Sequence, residues 1–343
     1  MVGHSFKGIG FLKSTVLLLI SLALSFALGE AMLRLLGYRG VPESLIGNMH
    51  VVDDPVLDWR YLPNSEVVIG KITNSYNSRG FRDTEHSIEP SPDVKRLVVL
   101  GDSVTEGYGV ESEATFARQL QAKLGEKYEV VNLGMAGLNT PQEVHLFEVE
   151  GLQYKPRLVI LNFVLNDADF YTTFRGAQKA MAQADQTVGL LNVKIDPSLK
   201  RLLKSSALIY FVKDRFENLY GLVAGGGASN YYGDLWSNEK NREKVTNGFV
   251  KLGVLQQHYR FEVLVAIWPV LADYQHYPFA AIHDWVTSEA EKNGFHVIDL
   301  LPVFAKRTFR DLQVAAEDNI HPNAHGHTIA ADSVRVVVEE LVR

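Results

Sequence analysis

The sequence predicts an α/β protein of three layers, with a mainly parallel five-stranded sheet between helices and an N-terminal transmembrane helix before it. Three observations carry this expectation: five short apolar runs recur along the chain, helical patterns separate them, and one uncharged apolar stretch stands near the N-terminus.

The N-terminal stretch comes first. Lys7 and Lys13 precede an uncharged, mostly apolar run from Ser14 to Gly29, and Glu30 and Arg34 follow at a spacing that pairs them on one helical turn. The run is slightly shorter than the ~20 residues of a full span, and the pair at the outer interface completes it. The positive-inside rule places the lysines in the cytoplasm and the chain after about residue 38 outside. A cleaved signal peptide is the competing reading, with Ser25-Phe26-Ala27 as a small-x-small site; both readings export the body of the protein. Residues 1–37 are thus an anchor or signal segment, and the localisation expected is membrane-anchored with the rest extracytoplasmic.

Residues 38–94 read as an irregular, partly stranded extension packing on the main domain, residues 95–343. Leu57-Asp58-Trp59-Arg60-Tyr61 and Gly80-Phe81-Arg82-Asp83 are separated by turn formers such as Pro63-Asn64, and Pro90-Ser91-Pro92 closes the segment.

The strands then begin. Arg96–Leu100, Glu129–Leu133, Leu158–Val164, Phe261–Trp268 and Phe295–Leu300 are near-continuous apolar runs, the pattern of strands buried on both faces. Helical patterns lie between and after them: Phe116, Leu120 and Leu124; Val144, Phe147 and Leu152; and the stretches 240–259, 278–292 and 324–342. Residues 168–238 interrupt the alternation as an insertion. Within it Leu199, Leu202, Leu203, Leu208, Phe211, Val212 and Phe216 recur at helical spacing, which suits either a helix packed on the core or a lid over the site.

Composition excludes several classes. With 46% hydrophobic and 22% charged residues, the composition argues against disorder over most of the chain. A net charge of −6 without a basic run argues against nucleic acid as a partner. With no cysteine, neither disulfides nor thiolate catalysis is available.

Four segments carry candidate chemistry. Gly101-Asp102-Ser103 follows the first strand and precedes a helix, where backbone N–H groups favour developing negative charge. It is not a G-x-S-x-G elbow, because position 105 is Thr. A helix-capping loop is the alternative reading of the same tripeptide. Asp318-Asn319-Ile320-His321 places a carboxylate three residues before an imidazole, close enough to fix the tautomer and leave Nε2 to accept a proton from serine. A capping Asp beside a surface His is the alternative there. Asn132–Thr140 supplies glycines whose N–H groups can approach a ligand, and Asn166-Asp167 supplies a side-chain amide. His321, His325 and His327 do not make a convincing metal cluster, since Pro322 and a helix start separate their directions.

Together the four segments resemble the SGNH hydrolase superfamily, the GDSL-like lipases and esterases, over roughly residues 95–343. The first block is similar to Gly101-Asp102-Ser103-Val104-Thr105-Glu106-Gly107, the second to the segment ending in Gly137, the third (G-x-N-D) to Asn166 and Asp167, and the last (D-x-x-H) to Asp318 and His321. Val164 stands where the family usually has glycine, and Gly134 competes with Gly137 for the second block. The resemblance implies a flavodoxin-like sandwich and a catalytic set of Ser103, Asp318 and His321. It also implies an oxyanion hole of the Ser103 N–H, the Gly137 N–H and the Asn166 side chain, and no cofactor or metal.

The function expected is that of an extracytoplasmic serine esterase, forming an acyl-enzyme on an ester substrate, either an acylated glycan or a lipid. Two alternatives stay open: an O-acyltransferase passing acetyl to a polysaccharide hydroxyl, and a non-catalytic glycan-binding protein on a hydrolase fold. The sequence does not set the oligomeric state.

Overall fold

The computed structural model describes residues 5–35, 49–52, 54, 56–57, 59–69, 72–169, 206–209, 211–212, 228–315 and 318–343. The chain divides into two compact units, one of residues 1–43 with 181–225, the other of residues 44–180 with 226–343.

In the first unit a helix runs from Ser5 to Leu35. Its Lys13–Leu35 portion is, among the described residues, the one helix long and apolar enough to cross a membrane. Leu17, Leu24 and Leu28 are exposed along it. Glu30 pairs with Arg34 at 2.6 Å, as their spacing predicts. The same carboxylate accepts from the Ser206 hydroxyl at 2.8 Å and from the N–H groups of Ala207 and Leu208 at 3.1 and 2.9 Å.

The second unit begins with the extension, which is more regular than its turn-rich sequence suggests. β1 (Met49–Val51) pairs antiparallel with β2 (Trp59–Tyr61), and β3 (Ser65–Ile69) with β4 (Ile72–Tyr76).

The main sheet comes next in the chain. β5 (Lys95–Leu100), β6 (Tyr128–Asn132), β7 (Leu158–Phe163), β8 (Glu262–Ile267) and β9 (His296–Asp299) are all parallel, in the order β6-β5-β7-β8-β9. Each strand lies within a residue or two of the run that predicts it. Side chains alternate between two cores, because successive residues of a strand point to opposite faces. Val98, Leu100, Val159, Leu161, Val263 and Val265 meet Val144, Phe249, Leu252 and Val286 from the helices Thr140–Leu146, Glu239–Tyr259 and Ala280–Lys292. Trp59, Tyr61, Val67, Tyr76 and Phe81 of the extension are buried in this same core. On the other face Leu97, Val99, Leu158, Ile160 and Leu264 meet Phe116, Leu120, Ala331 and Val334 from the helices Phe116–Leu124 and Ala324–Leu341. Three layers result.

Caps fix where the helices begin. Asn139 and Gln142 form a reciprocal capping box at the start of Thr140–Leu146, with Pro141 in its first turn. Asn323 Oδ1 accepts from the N–H groups of His325 and Gly326 to start the last helix.

The insertion 168–238 is not one piece. Leu208, Phe211 and Val212 belong to the first unit, whereas the helix Ala228–Ser237 sends Tyr232, Leu235 and Trp236 into the core of the second. Leu199, Leu202, Leu203 and Phe216 lie outside the described residues.

Candidate active site

All four sequence segments reach the carboxyl edge of the sheet. The strand order reverses about β5, with β6 on one side and β7 on the other. Ser103 follows β5 and Asn166 follows β7, so both stand at the switch point where open α/β sheets bind ligands.

Ser103 begins a four-residue helix, Ser103–Glu106. Its Oγ lies 2.9 Å from His321 Nε2. His321 Nδ1 lies 2.9 and 3.1 Å from the two carboxylate oxygens of Asp318. Asp318 Oδ1 also accepts from the His321 and Ile320 N–H groups at 2.8 and 3.0 Å, which folds the segment back on itself. Because Nδ1 faces a carboxylate it is assigned the proton, leaving Nε2 to accept from the serine hydroxyl. Burial alone would raise the Asp318 carboxyl, but its hydrogen bonds with His321 and the imidazole's charge hold it below the usual range. A hydroxyl, an imidazole and a carboxylate in one hydrogen-bonded line can activate the hydroxyl as a nucleophile. The Tyr108 ring stacks at a tilt on the imidazole, 4.5 Å between centroids.

One of the alternative readings of these segments is realised in the geometry. Asp102 does cap the helix, accepting from the Val104 N–H at 2.9 Å, while Ser103 faces the histidine. Capping of the last helix falls to Asn323, not to Asp318.

The two glycines of the second block separate cleanly. A Cβ on Gly134 would stand 2.4 Å from Glu106 N and 2.6 Å from the Thr105 carbonyl carbon, so this glycine lets the loop press on the Ser103 helix. Gly137 has φ of 75° and open space where a Cβ would stand.

Asn166 sits in a tight turn, Leu165–Ala168. Its Nδ2 donates to Asp102 Oδ2 at 2.8 Å, a contact the sequence did not suggest. An amide nitrogen has a second N–H to offer. Beside Asn166 a narrow cleft of about 10 Å³, room for one water-sized group, is walled by Val164, Tyr232, Trp268, Val270 and Ile320.

Four carboxyl groups lie buried beneath this edge: Asp102, Glu106, Glu143 and Asp167. Burial pushes all four up, offset in part at Glu106 by the hydrogen bonds it accepts. The Asp102 charge raises Glu143 further, and the charges of Glu143 and Asp102 raise Asp167. Neither Glu143 oxygen has a hydrogen-bond partner among the described residues. Glu143 was hidden from sequence reading because it belongs to an ordinary amphipathic helix start.

His327 is fully buried, edge-on to Trp268 at 5.7 Å, whereas His325 is exposed. Among the described residues no group of three His, Asp or Glu side chains could hold a metal ion.

The sheet and this edge define an α/β enzyme with its polar machinery at a topological switch point. Residues 99–329 match the GDSL-like Lipase/Acylhydrolase family, and the chain belongs to that family, a family of hydrolases acting on ester bonds. The chain is also 31% identical over 87 residues to an acetylxylan esterase of Xylanibacter ruminicola, a stretch covering 23% of this chain and only 18% of that relative. Among solved structures it is similar to TesA, at 14% identity and a TM-score of 0.45 over 72% of this chain and 100% of that one. It is similar too to a member of the lipolytic G-D-S-L family from Veillonella parvula, at 14% identity and a TM-score of 0.42 over 72% of this chain and 99% of that one.

Proposed function

We propose that the chain is a membrane-held serine esterase that removes acetyl groups from an extracytoplasmic glycan. The observation that carries the chemistry is the 2.9 Å approach of Ser103 Oγ to His321 Nε2, with Asp318 behind the ring. His321 takes the Ser103 proton, and Asp318 holds the imidazolium that forms. Ser103 Oγ bonds to the ester carbonyl carbon. The N–H groups of Ser103 and Gly137 and the second N–H of the Asn166 amide stabilise the oxyanion. His321 then protonates the departing sugar oxygen. Water, deprotonated by the same imidazole, releases acetate from the acyl-enzyme and restores Ser103.

Three observations support the substrate class. The cleft beside Asn166 is about the size of a methyl group, which suits acetyl. A groove of about 650 Å³ opens among Tyr274, Gln275, Lys306, Arg307, Phe309 and Arg310, on loops that follow β8 and β9 at the same edge. Its mix of rings, an amide, cations and the carboxylates Asp273 and Asp311 suits a hydrated polymer better than a lipid tail. A curated relative carries the name acetylxylan esterase, an enzyme for an acetylated glycan. The helix Ser5–Leu35, with apolar residues exposed and lysines at its start, supports an anchor that leaves the site outside the cytoplasm.

Detergent-solubilised full-length protein tests the reading with p-nitrophenyl acetate and an acetylated polysaccharide, Ser103→Ala serving as control. Hydrolysis that disappears in S103A supports an esterase. Transfer of acetyl to added glycan in excess of hydrolysis assigns the acceptor as a sugar hydroxyl instead. Equal rates for both proteins overturn the catalytic reading in favour of glycan binding.

A further inference from the structure

Glu106 closes the helix that Ser103 opens, and only 5% of its surface is exposed. Its carboxylate is held from three directions. Tyr76 donates its hydroxyl to Oε1 at 2.8 Å. Tyr61 donates its hydroxyl to Oε2 at 2.9 Å. The Ala136 N–H donates to the same Oε2 at 2.8 Å.

These donors come from two distant parts of the chain. Tyr61 and Tyr76 belong to β2 and β4 of the extension, and their rings stack at 4.3 Å. Ala136 belongs to the second-block loop and precedes Gly137. Arg82, also of the extension and 3% exposed, donates to the carbonyls of Gly107 and Val110 just beyond the helix. Burial raises both phenols, with the Glu106 charge adding to it, so they remain donors throughout the working pH range.

We infer that Glu106 is a positioning residue that sets the Gly137 N–H against Ser103, and that the extension, through Tyr61 and Tyr76, is a working part of the active site. The inference rests on the proposed roles of Ser103 and Gly137. Its geometric basis is that one buried carboxylate accepts from the N–H of Ala136, the residue before Gly137, and stands on the same short helix as Ser103. A loop bearing a glycine with positive φ is intrinsically free, and an oxyanion donor displaced by a fraction of an ångström loses most of its worth. The carboxylate removes that freedom. Two buried phenols stop the carboxylate from choosing another rotamer. A structural role alone requires only that the space be filled; three donors converging on two oxygens, one of them from the oxyanion loop, point to orientation.

The test uses full-length protein in detergent, with Glu106→Gln, Glu106→Asp and the double variant Tyr61→Phe/Tyr76→Phe. Glu106→Gln keeps the shape but turns an NH2 toward a donor. The double variant keeps the rings and removes both restraints from the extension. Hydrolysis of p-nitrophenyl acetate should show kcat lowered ~10- to 100-fold in both, with KM within ~3-fold, below the ~100- to 1000-fold cost of losing an oxyanion donor outright. Glu106→Asp, which restores the charge, should regain part of the loss. Amide hydrogen exchange of the 135–138 segment should speed up ~10-fold or more in the same variants, independent of turnover. Wild-type exchange and wild-type kcat in the folded double variant would overturn the inference; should Glu106→Gln fail to fold, that variant decides alone. Faster exchange in a protein whose wild type shows no Ser103-dependent turnover would instead sink the esterase reading and leave the positioning intact.

Discussion

Asn166 Nδ2 is bonded to Asp102 Oδ2 at 2.8 Å, so the side chain assigned to the oxyanion is fastened to the residue immediately before the proposed nucleophile. Asn166→Ala should therefore lower kcat on p-nitrophenyl acetate by ~100- to 1000-fold, the cost of one lost oxyanion donor. Asp102→Asn, which keeps shape but weakens the anchor, should fall between that variant and wild type. A wild-type kcat in Asn166→Ala would remove Asn166 from the chemistry.

Val164 and Tyr232 wall the cleft beside Asn166. Val164→Gly, which deletes one wall, should raise the p-nitrophenyl butyrate to acetate ratio of kcat/KM by roughly 10-fold, at the lower end of what a methylene in an apolar pocket is worth. An unchanged ratio would place the acyl group elsewhere.

Gly134 and Gly137 should differ in their response to alanine. At Gly134 the new Cβ meets backbone at 2.4 and 2.6 Å, so the Ser103 helix must shift, at about 1–3 kcal/mol. At Gly137 there is room, and only the positive φ resists, at about 1–2 kcal/mol. Urea denaturation should rank Gly134→Ala as the less stable, and its esterase activity should fall with it.

His327 is buried and neutral. Burial, with the charges of Arg82 and His321 adding to it, pushes its pKa down to about 3. The unfolded chain binds a proton near the ordinary value of 6.5. Stability from the neutral ring is therefore fully present above that value and lost as pH falls toward 3, by up to about 1.4 kcal/mol per pH unit. His327→Phe should flatten this acid limb. Thermal unfolding at pH 4 and pH 8 checks it: between pH 8 and pH 4 the melting temperature of wild type should fall further than that of the variant.

Glu143 behaves with the opposite sign. Burial and the nearby Asp102 charge raise its carboxyl above the unfolded value. Stability is then greatest below the ordinary carboxylate pKa and declines as pH rises toward the folded one. Glu143→Gln should unfold at a higher temperature than wild type at pH 8 and lose that advantage at pH 4. A constant difference across the range would mean Glu143 is not the titrating group.

How far the sequence could be read depends on burial. The five strands were legible because both faces are covered, which leaves near-continuous apolar runs such as Leu158–Phe163. Ser103, Asp318 and His321 were legible because two of them share one short segment and the third comes directly after a strand. Tyr61, Tyr76 and Glu106 were not, because they are joined only through pairing across 30 and 45 residues and nothing local marks a phenol as a donor. The hairpin β3–β4 hides similarly, since polar residues such as Glu66, Thr73 and Ser75 dilute its alternation.

The hydroxyl of Ser103 and the imidazole of His321 lie 218 residues apart in sequence. While the chain is being made, the serine exists for most of that time without the imidazole it meets in the folded protein, and under the proposed mechanism no ester it encounters on the way is attacked. Under that mechanism the order in which residues emerge keeps the young protein idle. A frameshift between residues 300 and 321 takes away the imidazole while sparing all five strands of the sheet, the last of which ends at Asp299.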